Sequence, residues 1–83
     1  MIQLRFFARI REQLATDSEE IPVDGHADVE TVVTLLRQRG GIWSEVFAND
    51  QSVLVAVNQE VSDVRTPIKD GDEVAFFPPV TGG

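Results

Sequence analysis

The chain has 83 residues, enough for one domain with a modest hydrophobic core. It contains no cysteine, which excludes disulfide bonds, thiolate metal sites and a cysteine nucleophile, and we expect no metal. Its formal net charge of −7 makes nucleic acid an unfavourable partner and a basic protein surface a favourable one. No apolar run has membrane-spanning length, and Met1 leads directly into a strand pattern. We therefore expect a cytoplasmic protein without a signal peptide or membrane segment.

The first 23 residues predict two strands of an antiparallel hairpin with a short helix between them. Residues 1–8 alternate with a period of two, which is typical of a half-buried strand. The residues of its apolar face are Ile2, Leu4, Phe6 and Ala8. Phe7 lies on the other face. It either covers a second small cluster of side chains or is exposed and anchors a partner. Residues 9–14 predict the helix, and residues 19–23 predict a strand that Pro22 confines to the sheet edge.

The next segment predicts the main amphipathic helix. Asp28 is a suitable N-cap for this helix. Apolar residues follow at the spacing of one helix face, namely Val29, Val32, Val33 and Leu36. We expect Gly40 and Gly41 to end the helix. Residues 42–47 predict a further helical turn, in which Trp43 covers the core.

The last third of the chain predicts three strands. The unbroken apolar run 53–57 predicts an interior strand that is buried on both faces. Residues 58–59 can form a tight reversal, because asparagine tolerates a positive φ, and residues 60–64 return as a short strand. After a turn at 69–72, residues 73–77 form the last strand.

This order of elements predicts an α+β fold. One main helix must cover one face of a mixed sheet of about five strands, and short extra helical turns complete the domain. The β-grasp, or ubiquitin-like roll, has this arrangement. We expect the β-grasp domain to span residues 1–77 and an extended C-terminal tail to span residues 78–83.

The tail has the composition of an arm that reaches into a partner. Pro78 and Pro79 remove two backbone donors, so the last strand should end before them. Gly82 and Gly83 can pass where any Cβ atom would collide. Fully extended, the six residues reach roughly 20 Å at about 3.3 Å per residue. With Gly83 as the last residue, the tail presents a carboxylate. A frayed terminus is the alternative, which the absence of charged side chains in the tail disfavours.

Three segments of the chain resemble one family of proteins. Residues 70–83, which read DGDEVAFFPPVTGG, resemble the C-terminal signature of the small subunit of molybdopterin synthase. Residues 6–12 (FFARIRE) and 56–59 (AVNQ) resemble the same family in the same order. The resemblance covers essentially the whole chain, and it implies the β-grasp fold. Its specific part is the tail, because every ubiquitin-like carrier has a Gly-Gly end.

The resemblance implies a sulfur carrier that is not an enzyme on its own. An E1-like adenylyltransferase would use ATP to adenylate the Gly83 carboxylate, and a sulfur donor would then displace AMP to leave a thiocarboxylate. The loaded tail would enter the large subunit of molybdopterin synthase and give its sulfur to cyclic pyranopterin monophosphate. Two such transfers would build the molybdopterin dithiolene. The resemblance implies two copies of each subunit and no cofactor bound to the chain.

The resemblance also implies the roles of individual residues. Gly83 carries the adenylate and then the sulfur, and Gly82 lets the backbone pass a narrow channel. The remaining tail residues supply reach and stiffness, namely Thr81, Val80, Pro79 and Pro78. By resemblance, Phe7, Phe77 and Val61 are candidates for an apolar patch on the sheet face that docks the partner. Arg11 is a weaker, polar candidate for the same contact.

Other functions stay open at this point. A sulfur carrier for thiazole synthesis or tRNA thiolation is one, although residues 76–81 argue against it. A ubiquitin-like modifier joined through Gly83 to lysines, or a plain interaction module, is another. Conjugates in cells would favour the modifier, and full function without the tail would favour the module. The sequence has no glycine-rich phosphate loop and no Ser/His/Asp set for a nucleophile, so it offers no independent active site.

Overall fold

The computed structural model describes residues 1–23, 27–48 and 53–79, and these residues build a five-stranded mixed sheet and three helices. The strands are β1 (Ile2–Phe6), β2 (Ser18–Ile21), β3 (Leu54–Val57), β4 (Glu60–Ser62) and β5 (Glu73–Phe77). The helices are α1 (Ala8–Leu14), α2 (Val29–Arg37) and α3 (Gly41–Val46). The strand order is β2-β1-β5-β3-β4, with β1 and β5 parallel and the other pairs antiparallel. The predicted α+β class and mixed sheet are confirmed. None of the helices in the described ranges is long and apolar enough to cross a membrane.

The first strand is shorter than the alternation predicts. Phe7 still has extended backbone, with φ −122° and ψ 155°, but Ala8 has φ 52° and begins α1. The assignment of Ala8 to the strand was therefore wrong, because the left-handed φ turns the chain away from the sheet. The helix predicted from residues 9–14 is present as α1, which buries Ile10 and Leu14. Strand β2 pairs with β1 at the edge of the sheet, which is the position predicted from Pro22.

Helix α2 begins where the sequence predicts and ends earlier than expected. The Asp28 carboxylate accepts a hydrogen bond of 2.9 Å from the Thr31 N–H and forms a capping box. The helix ends at Arg37, so Gly40 and Gly41 do not cap it. Both glycines have positive φ, 77° and 56°, and they turn the chain into α3 instead.

Four aromatic rings form a cluster beneath the C-terminal half of β5. This aromatic cluster consists of Phe6, Trp43, Phe47 and Phe76, whose neighbouring ring centroids lie 5.1–6.4 Å apart. Such pairs contribute about 0.5–1.5 kcal/mol each beyond the burial of their area. Trp43 is partly exposed and packs against the buried core, as the sequence predicts. The end of β5, where the tail begins, therefore rests on a rigid base.

A hydrogen-bonded turn joins β3, β4 and β5. Asn58 and Gln59 have φ 50° and 70° and form the predicted reversal. The Asn58 side chain donates to the Asp72 carboxylate and accepts from the Glu73 N–H, both at 3.0 Å. Strand β4 ends at Ser62, two residues before its predicted end. The turn therefore links the register of β3 to that of β4 and β5.

Candidate functional site

The helices cover one face of the sheet and leave the other without a covering element in the described part of the chain. Strand β5 shows the division most clearly. Val74 and Phe76 belong to the same buried core as the α2 residues Val29 and Leu36. Phe77, which alternates with Phe76, lies on the opposite face and is half-buried. We call this second side the open face.

The row of the open face nearest the tail is entirely apolar. Leu54 of β3 lies opposite Phe77 of β5. The Phe7 N–H donates to the Phe76 carbonyl at 3.1 Å, which continues the parallel β1–β5 pairing one residue past β1. Phe7 is therefore placed beside Phe77 on the open face.

A second row crosses the open face through smaller side chains. Its members, in order across the sheet, are Val61, Ala56, Ala75, Arg5 and Ser18. The two alanines are nearly buried between their larger neighbours, whereas Val61 is 81% exposed. Opposite residues of paired strands lie on the same face, so the register brings Val61 to the face that carries Phe77.

The apolar side chains of the two rows share one surface on the open face. We call it the apolar patch, and its large side chains are Phe7, Leu54, Val61 and Phe77. Phe7 is 41% exposed and Leu54 is 39% exposed. Exposed apolar side chains that cluster in this way mark interaction surfaces, whereas isolated ones do not. The structure thus brings the predicted residues Phe7, Phe77 and Val61 onto one face.

The prediction for Leu54 needs correction. Leu54 was assigned to a strand buried on both faces, but it is exposed beside Phe77. The two-residue spacing of Leu54 and Ala56 could have indicated the exposed position of Leu54. Both side chains point to the face opposite that of the buried Val55 between them. Arg11 is exposed in α1, and its role as a polar docking residue stays a prediction.

The tail begins next to the apolar patch. Strand β5 ends at Phe77 as predicted, and Pro78 and Pro79 follow without regular secondary structure. The structure describes the chain only to Pro79, so the predicted roles of Val80, Thr81, Gly82 and Gly83 lie outside the described residues. The described start of the tail therefore follows directly on Phe77 of the apolar patch.

In the described ranges, the carboxylates with a shifted pKa accept hydrogen bonds from neighbouring residues of the fold. Hydrogen bonding from Arg39 lowers the pKa of Glu19, and the Asn58 amide and the Lys69 N–H lower the pKa of Asp72. Among the described residues, no group of three or more acidic, histidine or cysteine side chains could hold a metal ion. The pKa shifts of Glu19 and Asp72 thus come from hydrogen bonds within the fold.

The comparisons with known proteins agree with this architecture. The fold is a β-grasp of the ubiquitin-like kind: the crystal structure of SAMP1 from Haloferax volcanii matches with a TM-score of 0.80, 30% identity, and coverage of 99% of this chain and 98% of that one. The chain belongs to the ThiS family, whose model matches residues 4–83. It is 46% identical to the molybdopterin synthase sulfur carrier subunit of Escherichia coli strain K12, over 100% of both chains.

Two further comparisons concern partners and an alternative role. A complex of subunits 1 and 2 of the molybdopterin-converting factor from Helicobacter pylori 26695 contains a chain that matches with a TM-score of 0.70 and 28% identity, over 99% of this chain and 97% of that one. Small archaeal modifier protein 1 of Haloferax volcanii is 30% identical over 99% of this chain and 100% of that protein. The first is an assembly of two subunits, and the second is named as a modifier.

Proposed function

We propose that this protein is the sulfur-carrying small subunit of a molybdopterin synthase. The observation that carries the proposal is the 46% identity with the Escherichia coli sulfur carrier subunit over the full length of both chains. The match to the ThiS family reaches Gly83 and so includes the tail on which the chemistry depends. The apolar patch beside the start of the tail supports the same role.

The chemistry is that of an activated terminal carboxylate. A carboxylate is ionised at neutral pH and resists nucleophiles, so it needs a better leaving group on its acyl carbon. Attack of the Gly83 carboxylate on the α-phosphate of ATP forms an acyl adenylate and releases pyrophosphate. A sulfur donor then displaces AMP and leaves a thiocarboxylate. The thiocarboxylate sulfur then displaces an oxygen substituent from the substrate carbon, and hydrolysis of the acyl–sulfur bond leaves the sulfur on the substrate and restores the carboxylate.

The chain's own residues deliver and position this group. Strand β5 is held between β1 and β3 and rests on the aromatic cluster, so the origin of the tail is fixed. Pro78 and Pro79 follow the strand, and their rings fix the φ angle at these two positions. Gly82 then allows the backbone through a narrow channel, and Gly83 presents the reacting group.

The proposed partners are an E1-like adenylyltransferase and the large subunit of the synthase, with two copies of each subunit in the synthase complex. The solved Helicobacter pylori complex of subunits 1 and 2 supports the second partner. The apolar patch supplies the docking surface, with Phe7 and Phe77 nearest the tail. ATP is used by the adenylating enzyme, and we place the reaction in the cytoplasm.

A reconstitution tests the proposal. The purified chain, ATP, a sulfur donor, the adenylating enzyme and the large subunit should together convert cyclic pyranopterin monophosphate into molybdopterin. A chain that lacks Gly82 and Gly83 is the matched control, and it should give no product. Normal product formation by this truncated control would contradict the proposal.

Similarity to the Haloferax volcanii modifier favours one alternative, a protein modifier joined through Gly83. This role requires isopeptide bonds between the tail and lysines of other proteins. Cells that express an epitope-tagged chain should then contain higher-mass conjugates that disappear when Gly82 and Gly83 are removed. A sulfur carrier gives a single unconjugated species in the same experiment.

A further inference from the structure

The open face carries a positive charge at the border of the apolar patch. Arg5 lies between Ser18 of β2 and Ala75 of β5. Its guanidinium carbon is 5.8 Å from the centroid of the Phe7 ring. One guanidinium nitrogen is 3.6 Å from the Glu73 carboxylate, and the Arg5 side chain is 43% exposed. The charge is thus held beside a proposed docking residue by contacts on two sides.

The charge pattern of the open face changes at Arg5. Toward the tail, Phe7 and Phe77 are apolar. Away from the tail, the next row holds Gln3 between two acidic residues, Glu20 and Glu73. Arg5 therefore separates an apolar half from an acidic half, in a chain whose net charge is −7.

The contact with Glu73 leaves Arg5 able to bind a second anion. A guanidinium has five N–H donors, and a separation of 3.6 Å is longer than a hydrogen bond. A partner that covers the Phe7 ring must come close to the guanidinium, because the two groups are in contact range. Removing water from a guanidinium without replacing its acceptors is unfavourable.

We propose that Arg5 determines partner specificity at the open face, because the large subunit that covers the apolar patch supplies a carboxylate to its guanidinium. This inference rests on the proposed function, which makes the large subunit the occupant of the open face. The apolar patch provides contact area that many surfaces could match. The arginine selects among such surfaces the one with an acidic side chain beside its apolar contacts.

Binding measurements with charge variants test the proposal. Arg5→Gln removes the charge, Arg5→Lys keeps it, and Arg5→Glu reverses it. The matched control is Arg65→Gln, which makes the same charge change in an exposed turn after β4. Affinity for the purified large subunit is measured by calorimetry at low and high salt, and thermal unfolding confirms that each variant folds.

We expect Arg5→Gln to bind about tenfold more weakly or worse at low salt, as for a charge that loses its partner across an interface. Arg5→Glu should bind more weakly still, Arg5→Lys should retain most of the affinity, and Arg65→Gln should match the unchanged chain. High salt should reduce the differences. If Arg5→Gln binds as tightly as the unchanged chain, or if Arg5→Lys is as weak as Arg5→Gln, the Arg5 proposal is wrong.

The same experiment separates this proposal from the proposed function. Failure of the unchanged chain to bind the large subunit would contradict the function itself. Binding by the unchanged chain without any loss in Arg5→Gln would contradict only the role of Arg5. At saturating large subunit, thiocarboxylated Arg5→Gln should transfer sulfur at the normal maximal rate, because Arg5 acts in docking and not in the transfer.

Discussion

Phe76 and Phe77 are adjacent residues of the same type that lie on opposite faces of β5. Phe76 is 1% exposed and contacts Phe6 and Phe47 in the aromatic cluster. Phe77 is half-buried on the open face, opposite Leu54. Their positions predict that one side chain stabilises the fold and the other binds a partner.

Alanine substitution should separate these two roles. Phe77→Ala should weaken binding to the large subunit by about 2 kcal/mol or more, the size expected for an interface hot spot. Phe76→Ala, the matched control, should lower the free energy of unfolding by about 3–5 kcal/mol because it leaves a cavity in the core. Calorimetric binding and urea denaturation measure the two quantities. A loss of stability in Phe77→Ala as large as that in Phe76→Ala would place Phe77 in the core and the docking surface elsewhere.

Asp72 gives a prediction about pH. Its pKa is lowered first by the hydrogen bond from the Asn58 amide and then by the Lys69 N–H. A carboxyl group with a lower pKa in the folded state contributes stability above its unfolded pKa, and this contribution is lost as pH falls through the folded pKa. The free energy of unfolding should therefore fall in acid, and Glu19 and Asp28 contribute in the same direction.

The substitution Asp72→Asn tests this interpretation. It should lower stability at neutral pH by about 1–3 kcal/mol, the cost of weakening hydrogen bonds to a buried charged group. It should also reduce the loss of stability in acid, as measured by urea denaturation across a pH series. Asp17→Asn removes a charge from an exposed position and is the control. An equal dependence on acid pH in Asp72→Asn and the unchanged chain would show that Asp72 is not a source of it.

At the scale of whole elements, the sequence predicts strand faces better than element ends. The alternation in β1 and β5 and the reversal at Asn58 are read correctly because side-chain period and φ preference are local properties. Ala8 is misread because a small apolar residue fits both a strand and a helix start. The end of α2 is predicted too late, because a glycine such as Gly40 can form a turn after a helix as well as cap the helix.

The open face could be predicted only in part from the sequence. Phe7 and Phe77 are recognisable as aromatic residues on the outer side of their strands. Leu54 is not recognised as part of the face, because its neighbours depend on the register between strands that are distant in sequence. Register is fixed by pairing in the folded sheet, which a single strand pattern does not contain.

The tail is the element for which stability and function should separate completely. Removing Gly82 and Gly83 deletes no side chain, so the free energy of unfolding should change by no more than about 0.5 kcal/mol. Sulfur transfer should be abolished. Denaturation and the reconstituted synthase reaction provide the two measurements on the same preparation. A large loss of stability would mean that the tail packs on its own domain and does not act as a reaching arm.

For the whole molecule, the described architecture brings the proposed docking surface and the origin of the tail to the same end of the sheet. Phe77 of the apolar patch is the last residue of β5, Pro78 follows it, and Arg5 borders the patch. A partner that covers the open face therefore also meets the start of the tail. In the proposed function, the domain provides recognition and Gly83 provides the chemistry.

The most direct test of this account is the mass of the chain after loading. Incubation with ATP, a sulfur donor and the adenylating enzyme should raise the mass by the difference between sulfur and oxygen. Fragmentation should place this change on Gly83, because the sequence has no cysteine to carry sulfur. A chain with one residue added after Gly83 should not gain the mass, because its carboxylate lies beyond the site of adenylation. If this extended chain still supports molybdopterin synthesis without being trimmed, the proposed carrier role of Gly83 is wrong.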